Sequence, residues 1–453
     1  MAKWKWATLA LAVMILLAGC SSNNSNSESS APSGEAPTAS ASASPAASPS
    51  EEAKPVTIVY EAWTPYKEDM DKIVAEYKKI HPEITVEVRL HANYSEYLTA
   101  IKTSFASGDA PDLFAFDSPT SLANLKDQIE PIDEWASKAW GDAWKDKFIA
   151  STLTDVSLDG KTMGIPMHIS PGGLIWYNKT ALDKYGIGEP KTYEELKKAS
   201  DTLRKNGMQP LLLGAKDSWI VIDTFQTILN DVAPGKQYDA YAKKIPFTDP
   251  DIVKAFDLWK KMFDDKIFQD DAFSMTEYMD VYNAFIDKQS GAFESNGAWN
   301  LDIYANADLK AKVEAVEWGV MPFPDLNGDG KVPPTLSTVG GYALGKDSEN
   351  KEAAFDFLKF MTTEKGLQIM MDHFLATPPT KEGVELTVTL SPNAKQNRDT
   401  IGQIVAQTEP VHRGIDNAKV ADKMYEVLTK VAYGQLSGAD AAAAVQKVID
   451  SEG

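Results

Sequence analysis

Val56-Thr57-Ile58-Val59-Tyr60, Ile84-Thr85-Val86-Glu87-Val88-Arg89-Leu90 and Asp112-Leu113-Phe114-Ala115-Phe116 are short stretches rich in β-branched and aromatic residues. Each reads as a strand. Between the first two, Met70, Ile73, Val74 and Tyr77 recur at helical spacing from Tyr66 to Ile80, and His81-Pro82 ends the run. Between the second and third, Tyr94, Tyr97, Leu98, Ile101 and Phe105 make another helical stripe, closed by Gly108. This pacing predicts an α/β fold with a mostly parallel sheet covered on both faces. Ligands of such sheets sit beyond the carboxyl ends of the strands. Glu61, Ala62, Trp63, Asp117 and Ser118 are therefore expected on one rim.

The alternation continues outward with more helix. Thr192 and Glu195 form a capping box opening a helix that Gly207 closes. Asp249-Pro250 supplies a cap and a first-turn proline before Val253, Phe256, Trp259 and Phe263. A helix from Glu277 to Lys288 precedes a strand at Gly291-Ala292-Phe293-Glu294, and Glu352 to Met361 and Ala421 to Tyr433 are amphipathic helices. No internal repeat is evident.

At 453 residues the chain exceeds one comfortable core, so two domains are expected. Its formal charge of −20 supplies no basic stripe for phosphates, which argues against a nucleic-acid partner. A single cysteine excludes a disulfide framework and cysteine-based metal sites. That cysteine ends an address. Lys3 and Lys5 precede an apolar run from Ala7 to Ala18, too short to span a bilayer, which closes with Leu17-Ala18-Gly19-Cys20.

Small residues before a cysteine resemble the lipobox of bacterial lipoproteins. The resemblance implies cleavage after residue 19, a diacylglyceryl group on Cys20 and an acylated N-terminus, with palmitate the expected chain. Residues 21 to 54 are almost all Ser, Asn, Ala, Pro, Glu and Thr, a composition that cannot offset its conformational entropy. They read as a flexible tether spanning about 30–35 Å. The mature chain is expected outside the cytoplasm, anchored to the cell membrane.

A longer series of motifs covers the body. It runs through Trp63, Phe105-Ala106-Ser107-Gly108-Asp109-Ala110-Pro111-Asp112, Asp159-Gly160-Lys161-Thr162-Met163-Gly164-Ile165-Pro166 and Ile175-Trp176-Tyr177-Asn178-Lys179. It continues with Gly291-Ala292-Phe293, Gly297-Ala298-Trp299, Gly340-Gly341 and Thr377-Pro378-Pro379. In this order and at these distances the series resembles the maltodextrin-binding-like carbohydrate-binding proteins that serve ABC importers. One departure stands out: the family usually has Ala-Met where Ala292-Phe293 follows Gly291.

The resemblance implies a two-lobe periplasmic-binding-protein-like fold, with a hinge and an interlobe cleft that closes on a sugar. Crossings are expected near Ile169 to Leu174 and near Thr338, giving lobe 1 as 55–170 plus 338–375 and lobe 2 as 171–337 plus 376–453. It also implies permease subunits as partners, and a monomer.

Sugars present flat C–H patches, which aromatic rings cover, and hydroxyls, which polar side chains satisfy. The family position favours Trp299 as a stacking platform over the alternative of core packing. Trp63, after the first strand, and Trp219, after Lys216-Asp217-Ser218, read equally as stacking platforms or as core. Asp117 and Asn296 read as hydroxyl partners or as caps, Gly341 as a close-approach point or a plain loop, and His168 as a contact or a structural residue. Asp325-Leu326-Asn327-Gly328-Asp329-Gly330 has the spacing of a calcium loop, but position 12 is Leu336 where a glutamate is usual. Two readings stand for it: a structural calcium site with Asp325, Asn327 and Asp329 completed by another carboxylate, or a surface turn.

No other cofactor is expected. The histidines at 81, 91, 168, 373 and 412 are scattered, and there is no nucleophile elbow, Walker loop or dinucleotide fingerprint. Binding rather than catalysis is expected; the competing classes are a receptor for a non-sugar solute and a secreted glycoside hydrolase.

Overall fold

In the computed structural model, residues 55–332, 334–338, 340–407, 411–415 and 417–452 are described. The signal, lipid and tether expectations at residues 1–54 lie outside them. Val56–Ala62, Ile84–Leu90 and Leu113–Phe116 pair in parallel, with Tyr60 opposite Val88 on one side and Leu113 on the other. The intervening helices are Lys67–Ile80 and Tyr94–Ser107. Asn93 caps the second by accepting from the Glu96 N–H, and Gly108 ends it at φ +77°, where glycine carries no penalty. Gly341–Gly345 then enters antiparallel to Leu113–Phe116 and also pairs with Ile129–Glu130 and Ile165–Pro166. The sheet is thus parallel where strand–helix–strand units built it and antiparallel where the returning chain joined it.

A second sheet has the order Gln209–Leu212, Gly291–Asn296, Leu174–Asn178, Trp318–Pro322. Only its first pair is parallel. Each sheet carries its own apolar core. Tyr60, Phe114, Tyr342 and Phe357 lie in the first, and Phe225, Phe256 and Trp259 in the second. Burial of such side chains, at about 25 cal/mol per Å² of apolar surface, is what holds each sheet to its helices.

The chain passes from one sheet to the other through paired segments. Ile169–Gly172 leads from Ile165–Pro166 into Leu174–Asn178, and Thr335–Thr338 leads from Trp318–Pro322 back to Gly341–Gly345. These two connecting strands pair antiparallel, and Val411–His412 adds alongside. At Gly340, φ is +56° and a Cβ would fall 1.6 Å from the Phe116 carbonyl oxygen, so only glycine fits there. The tail then packs on the second sheet. Asn393 on helix Pro392–Gln407 brackets Trp318, donating to its carbonyl at 2.8 Å and accepting from its N–H at 3.2 Å. Trp259 Nε1 donates to the Leu428 carbonyl at 3.0 Å on helix Ala418–Ala432.

Two local expectations change in detail. Thr192 does cap its helix, but Glu195 returns its carboxylate to the Lys191 N–H rather than to that of Thr192. The segment expected as an ordinary helix winds as π-helix over Glu277–Val281 and Asn283–Asp287. Among the described residues no helix is long and apolar enough to cross a membrane.

Candidate functional site

A cavity of about 220 Å³ lies where residues of both cores meet. From the rim of the first sheet come Trp63, Tyr94 and Asp117; from the second half of the molecule come Trp219, Tyr278, Tyr282 and Trp299. Trp63 meets Tyr94 edge-to-face at 4.8 Å, and Trp219 stacks on Tyr278 at 5.6 Å while presenting its edge to Trp299 at 6.0 Å. These mutually braced rings lose little freedom on meeting a ligand, which makes them suited to flat apolar faces.

The polar groups are few, and several lack partners. His168 is fully buried and stacked on Phe374 at 4.1 Å, and neither ring nitrogen has a hydrogen-bond partner. Burial, with a smaller contribution from the charge of His373, pushes its pKa down to about 3, so the ring is neutral at any ordinary pH. Trp219 Nε1 and Trp299 Nε1 are also buried without partners. Leaving such groups unmet costs about 1–3 kcal/mol each.

The charged groups are tied down. Asp117 accepts from the Tyr94 and Ser118 hydroxyls. Asp302 accepts from Tyr66 at 3.0 Å, and desolvation pushes its carboxyl up to about 6. The Arg413 guanidinium lies 4.5 Å from the centre of the Trp299 ring, with its Nε bonded to Asp223. Beneath the cavity, Glu294 is 1% exposed and accepts from Asn296 at 3.1 Å and from the cavity-lining Asn300 at 3.0 Å. Burial raises the pKa of Glu294 and that of its equally buried neighbour Glu277.

Of the residues singled out from sequence, Trp63, Asp117, His168, Trp219 and Trp299 line this one cavity. Asn296 does not: its amide bonds to Glu294 and its carbonyl oxygen takes the Gly297 N–H at 2.9 Å. Gly341 does not either, because it is a buried strand residue, and a Cβ there would meet the Ile165 carbonyl oxygen at 2.7 Å. The close approach at this glycine is to a neighbouring strand.

Sequence reasoning missed Tyr66, Tyr278, Tyr282, Asn300, Asp302 and Arg413, all in the lining. The four-residue spacing of Tyr278 and Tyr282 was a usable signal, and so was the proximity of Asn300 and Asp302 to Trp299. Arg413 carried none.

At the acidic loop, Asp325 accepts from the N–H groups of Asn327, Gly328 and Gly330, while Asn327 and Asp329 cap Asp329 and Lys331. Asp231, 2% exposed, accepts from the Leu326 N–H at 2.9 Å beside them. Burial first, then the charges of Asp325 and Asp329, push its carboxyl up to about 7. Among the described residues no three acidic, histidine or cysteine side chains stand together as a metal-holding group.

A body with two sheets, each packed in its own apolar surroundings, chain crossings between them and an aromatic cavity at their junction defines a two-lobed solute-binding protein. The chain belongs to the bacterial extracellular solute-binding protein family, whose model matches residues 63–368. It is 24% identical over 367 residues to a probable sugar-binding periplasmic protein of Rhizobium meliloti, covering 77% of this chain and 81% of that one. It is 23% identical over 292 residues to an uncharacterised ABC transporter extracellular-binding protein of Pyrococcus horikoshii. That match covers 62% of this chain and 63% of the Pyrococcus protein, a little under two thirds. The fold matches a chitin oligosaccharide binding protein with a TM-score of 0.71 at 19% identity, over 87% of this chain and 98% of the other.

Proposed function

We propose that this chain captures a carbohydrate in the cavity between its lobes and delivers it to the permease of an ABC importer, releasing it chemically unchanged. One observation carries the reading: braced aromatic faces line one cavity together with His168, Trp219 and Trp299, whose ring nitrogens have no partner. Ring faces suit sugar C–H patches, and the buried donors suit hydroxyl oxygens. The names of the Rhizobium and chitin-oligosaccharide proteins support the same ligand class.

Residues 55–170 with 338–375 form lobe 1 in this reading, and 171–337 with 376–453 form lobe 2; the separate cores and the crossing strands support the division. The protein acts as a monomer, held at the membrane by a lipidated Cys20. The Asp325-x-Asn327-x-Asp329-Gly330 spacing supports calcium as a structural ion, one that would have to draw the Asp231 carboxylate towards Asp325 and Asp329 to be held.

A thermal-shift panel of sugars, amino acids and ions tests the reading, with chromatography of the recovered ligand. A sugar at 100 times its dissociation constant stabilises by about 2.7 kcal/mol. Shifts confined to amino acids or ions contradict it, as does a cleaved sugar.

A further inference from the structure

Two buried glutamates lie at the roots of two aromatic walls of the cavity. Glu277 opens the π-helical segment Glu277–Val281, which carries Tyr278 into the lining, and Tyr282 follows it. Glu294 lies on the strand Gly291–Asn296, which leads into Gly297, Trp299 and Asn300. Glu277 is pinned. Its N–H donates to Asp217 Oδ2 at 2.9 Å, its Oε2 accepts from the Gly214 N–H at 2.8 Å, and a Cβ at Gly214 would fall 2.6 Å from that same oxygen. Its other oxygen, Oε1, receives no N–H or O–H among the described residues. Both oxygens of Glu294 accept, from the Asn296 and Asn300 amides. The two carboxyl groups lie within hydrogen-bonding reach of each other, and a bond between two carboxyl groups needs a proton on one of them. Glu294 already serves as the acceptor, so the proton belongs on Glu277.

We propose that Glu277 keeps its proton and donates it to Glu294, and that this shared proton positions the two aromatic walls for the ligand. The effect on affinity rests on the carbohydrate reading above; the proton itself does not. Each partner reaches a different wall. Glu294 holds Asn300 directly, and Asn296, whose Oδ1 accepts from the Gly297 N–H at 2.9 Å, fixes the glycine on which the Trp299 ring packs. Glu277 holds the start of the segment bearing Tyr278, whose ring stacks on Trp219. The charges facing the pair are acidic: Asp217 before helix Ser218–Val232, and Asp302 in the 3₁₀ segment Ala298–Tyr304. Lys216, next to Asp217, is exposed, and burial holds the Tyr278 and Tyr282 phenols neutral, well above their usual range. Burial first, then the charge of Glu294, keeps the Glu277 carboxyl well above its own usual range. Loss of the proton leaves two buried carboxylates facing each other, a costly arrangement in low-dielectric surroundings that drives the walls apart.

Infrared spectroscopy of the full chain in detergent at about pH 8.5 tests the proton. Asp302, pushed up to about 6, and Asp231 and Glu294, each pushed up to about 7, are ionised there. A protonated-carboxyl band is expected to remain, to vanish in Glu277→Gln, and to shift without vanishing in Glu294→Gln, which changes its acceptor. Calorimetric titration with the sugar found by the thermal-shift panel, from about pH 6 to about pH 10, tests the positioning. Affinity is expected to fall at least about 10-fold towards the alkaline end in the wild type. Glu277→Gln donates from an amide at every pH, so it is expected to bind within about 3-fold of wild type at neutral pH and to show no alkaline fall. Absence of the band from the wild type, its survival in Glu277→Gln, a flat wild-type profile, or an equal alkaline fall in both proteins overturns the proposal while leaving carbohydrate capture intact. Failure of every sugar to bind overturns the carbohydrate reading, and the infrared band then decides the shared proton by itself.

Discussion

The Ser95 hydroxyl donates to Asp217 Oδ1 at 2.7 Å, joining two helices that belong to different cores. Ser95 lies on Tyr94–Ser107, which packs in the first core, and Asp217 stands directly before Ser218–Val232, which packs in the second. The other oxygen of Asp217 accepts from the Glu277 N–H at 2.9 Å, so the bond between lobes ends on a buried, rigid support. Where ligand binding draws the lobes together, a bond between them adds to ligand affinity without touching the ligand.

Ser95→Ala removes that bond, at a cost of about 0.5–1.5 kcal/mol to the closed arrangement. Ligand affinity is expected to fall by about 2- to 12-fold, with the melting temperature of the ligand-free protein nearly unchanged. Calorimetry and thermal melting of the variant check both halves.

Trp299→Ala deletes a ring that is 8% exposed and braced by Trp219, Gly297 and Arg413. The expected loss is about 2–4 kcal/mol in binding, on the scale of an interface hot spot, or roughly 30- to 1,000-fold in dissociation constant. An unaltered affinity in the folded fraction, with a lowered melting temperature, assigns Trp299 to the core instead.

The fold was legible because its signals are local and redundant. Apolar alternation at Ile84–Leu90, the stripe from Tyr94 to Phe105 and the Gly108 stop each needed only neighbouring residues. Trp63, Trp219 and Trp299 were legible as candidates through resemblance and strand ends. What stayed hidden depends on distant chain. Arg413 reaches the cavity from directly beyond the short strand Val411–His412, which pairs with Thr335–Thr338, and no local pattern announces that return. The π-winding at Glu277–Asp287 hid for a different reason, since spacings of four look alike in α- and π-helices. Asn296 misled because a strand-end amide near a glycine looks available until Glu294 is seen to take it.

Acid pKa values give a signed expectation. Glu294 is raised above its usual value of 4.5 by burial, so the unfolded chain loses this proton before the folded one does. Stability from this group is full below about pH 4.5 and declines as pH rises towards 7, where the folded carboxyl ionises. Glu294→Gln is expected to flatten that part of the curve of melting temperature against pH. A slope identical to that of wild type removes Glu294 as its source.

For the acidic loop, added calcium is expected to raise the melting temperature, and Asp325→Asn or Asp231→Asn to abolish the rise. Magnesium, which demands tighter octahedral geometry, serves as the comparison ion. No rise with calcium leaves the loop as a turn closed by its own backbone bonds.

The central claim concerns what enters the cavity. Trp63, Trp219 and Trp299 all line it, so tryptophan emission reports occupancy directly. The decisive measurement is a fluorescence titration of the full chain in detergent with the best sugar from the screen, repeated on Trp299→Ala. Saturable quenching or shift is expected in the wild type, with a midpoint moved at least about 30-fold in the variant. The same midpoint in both proteins would move Trp299 to the core, and no saturable response to any sugar would contradict carbohydrate capture at this cavity.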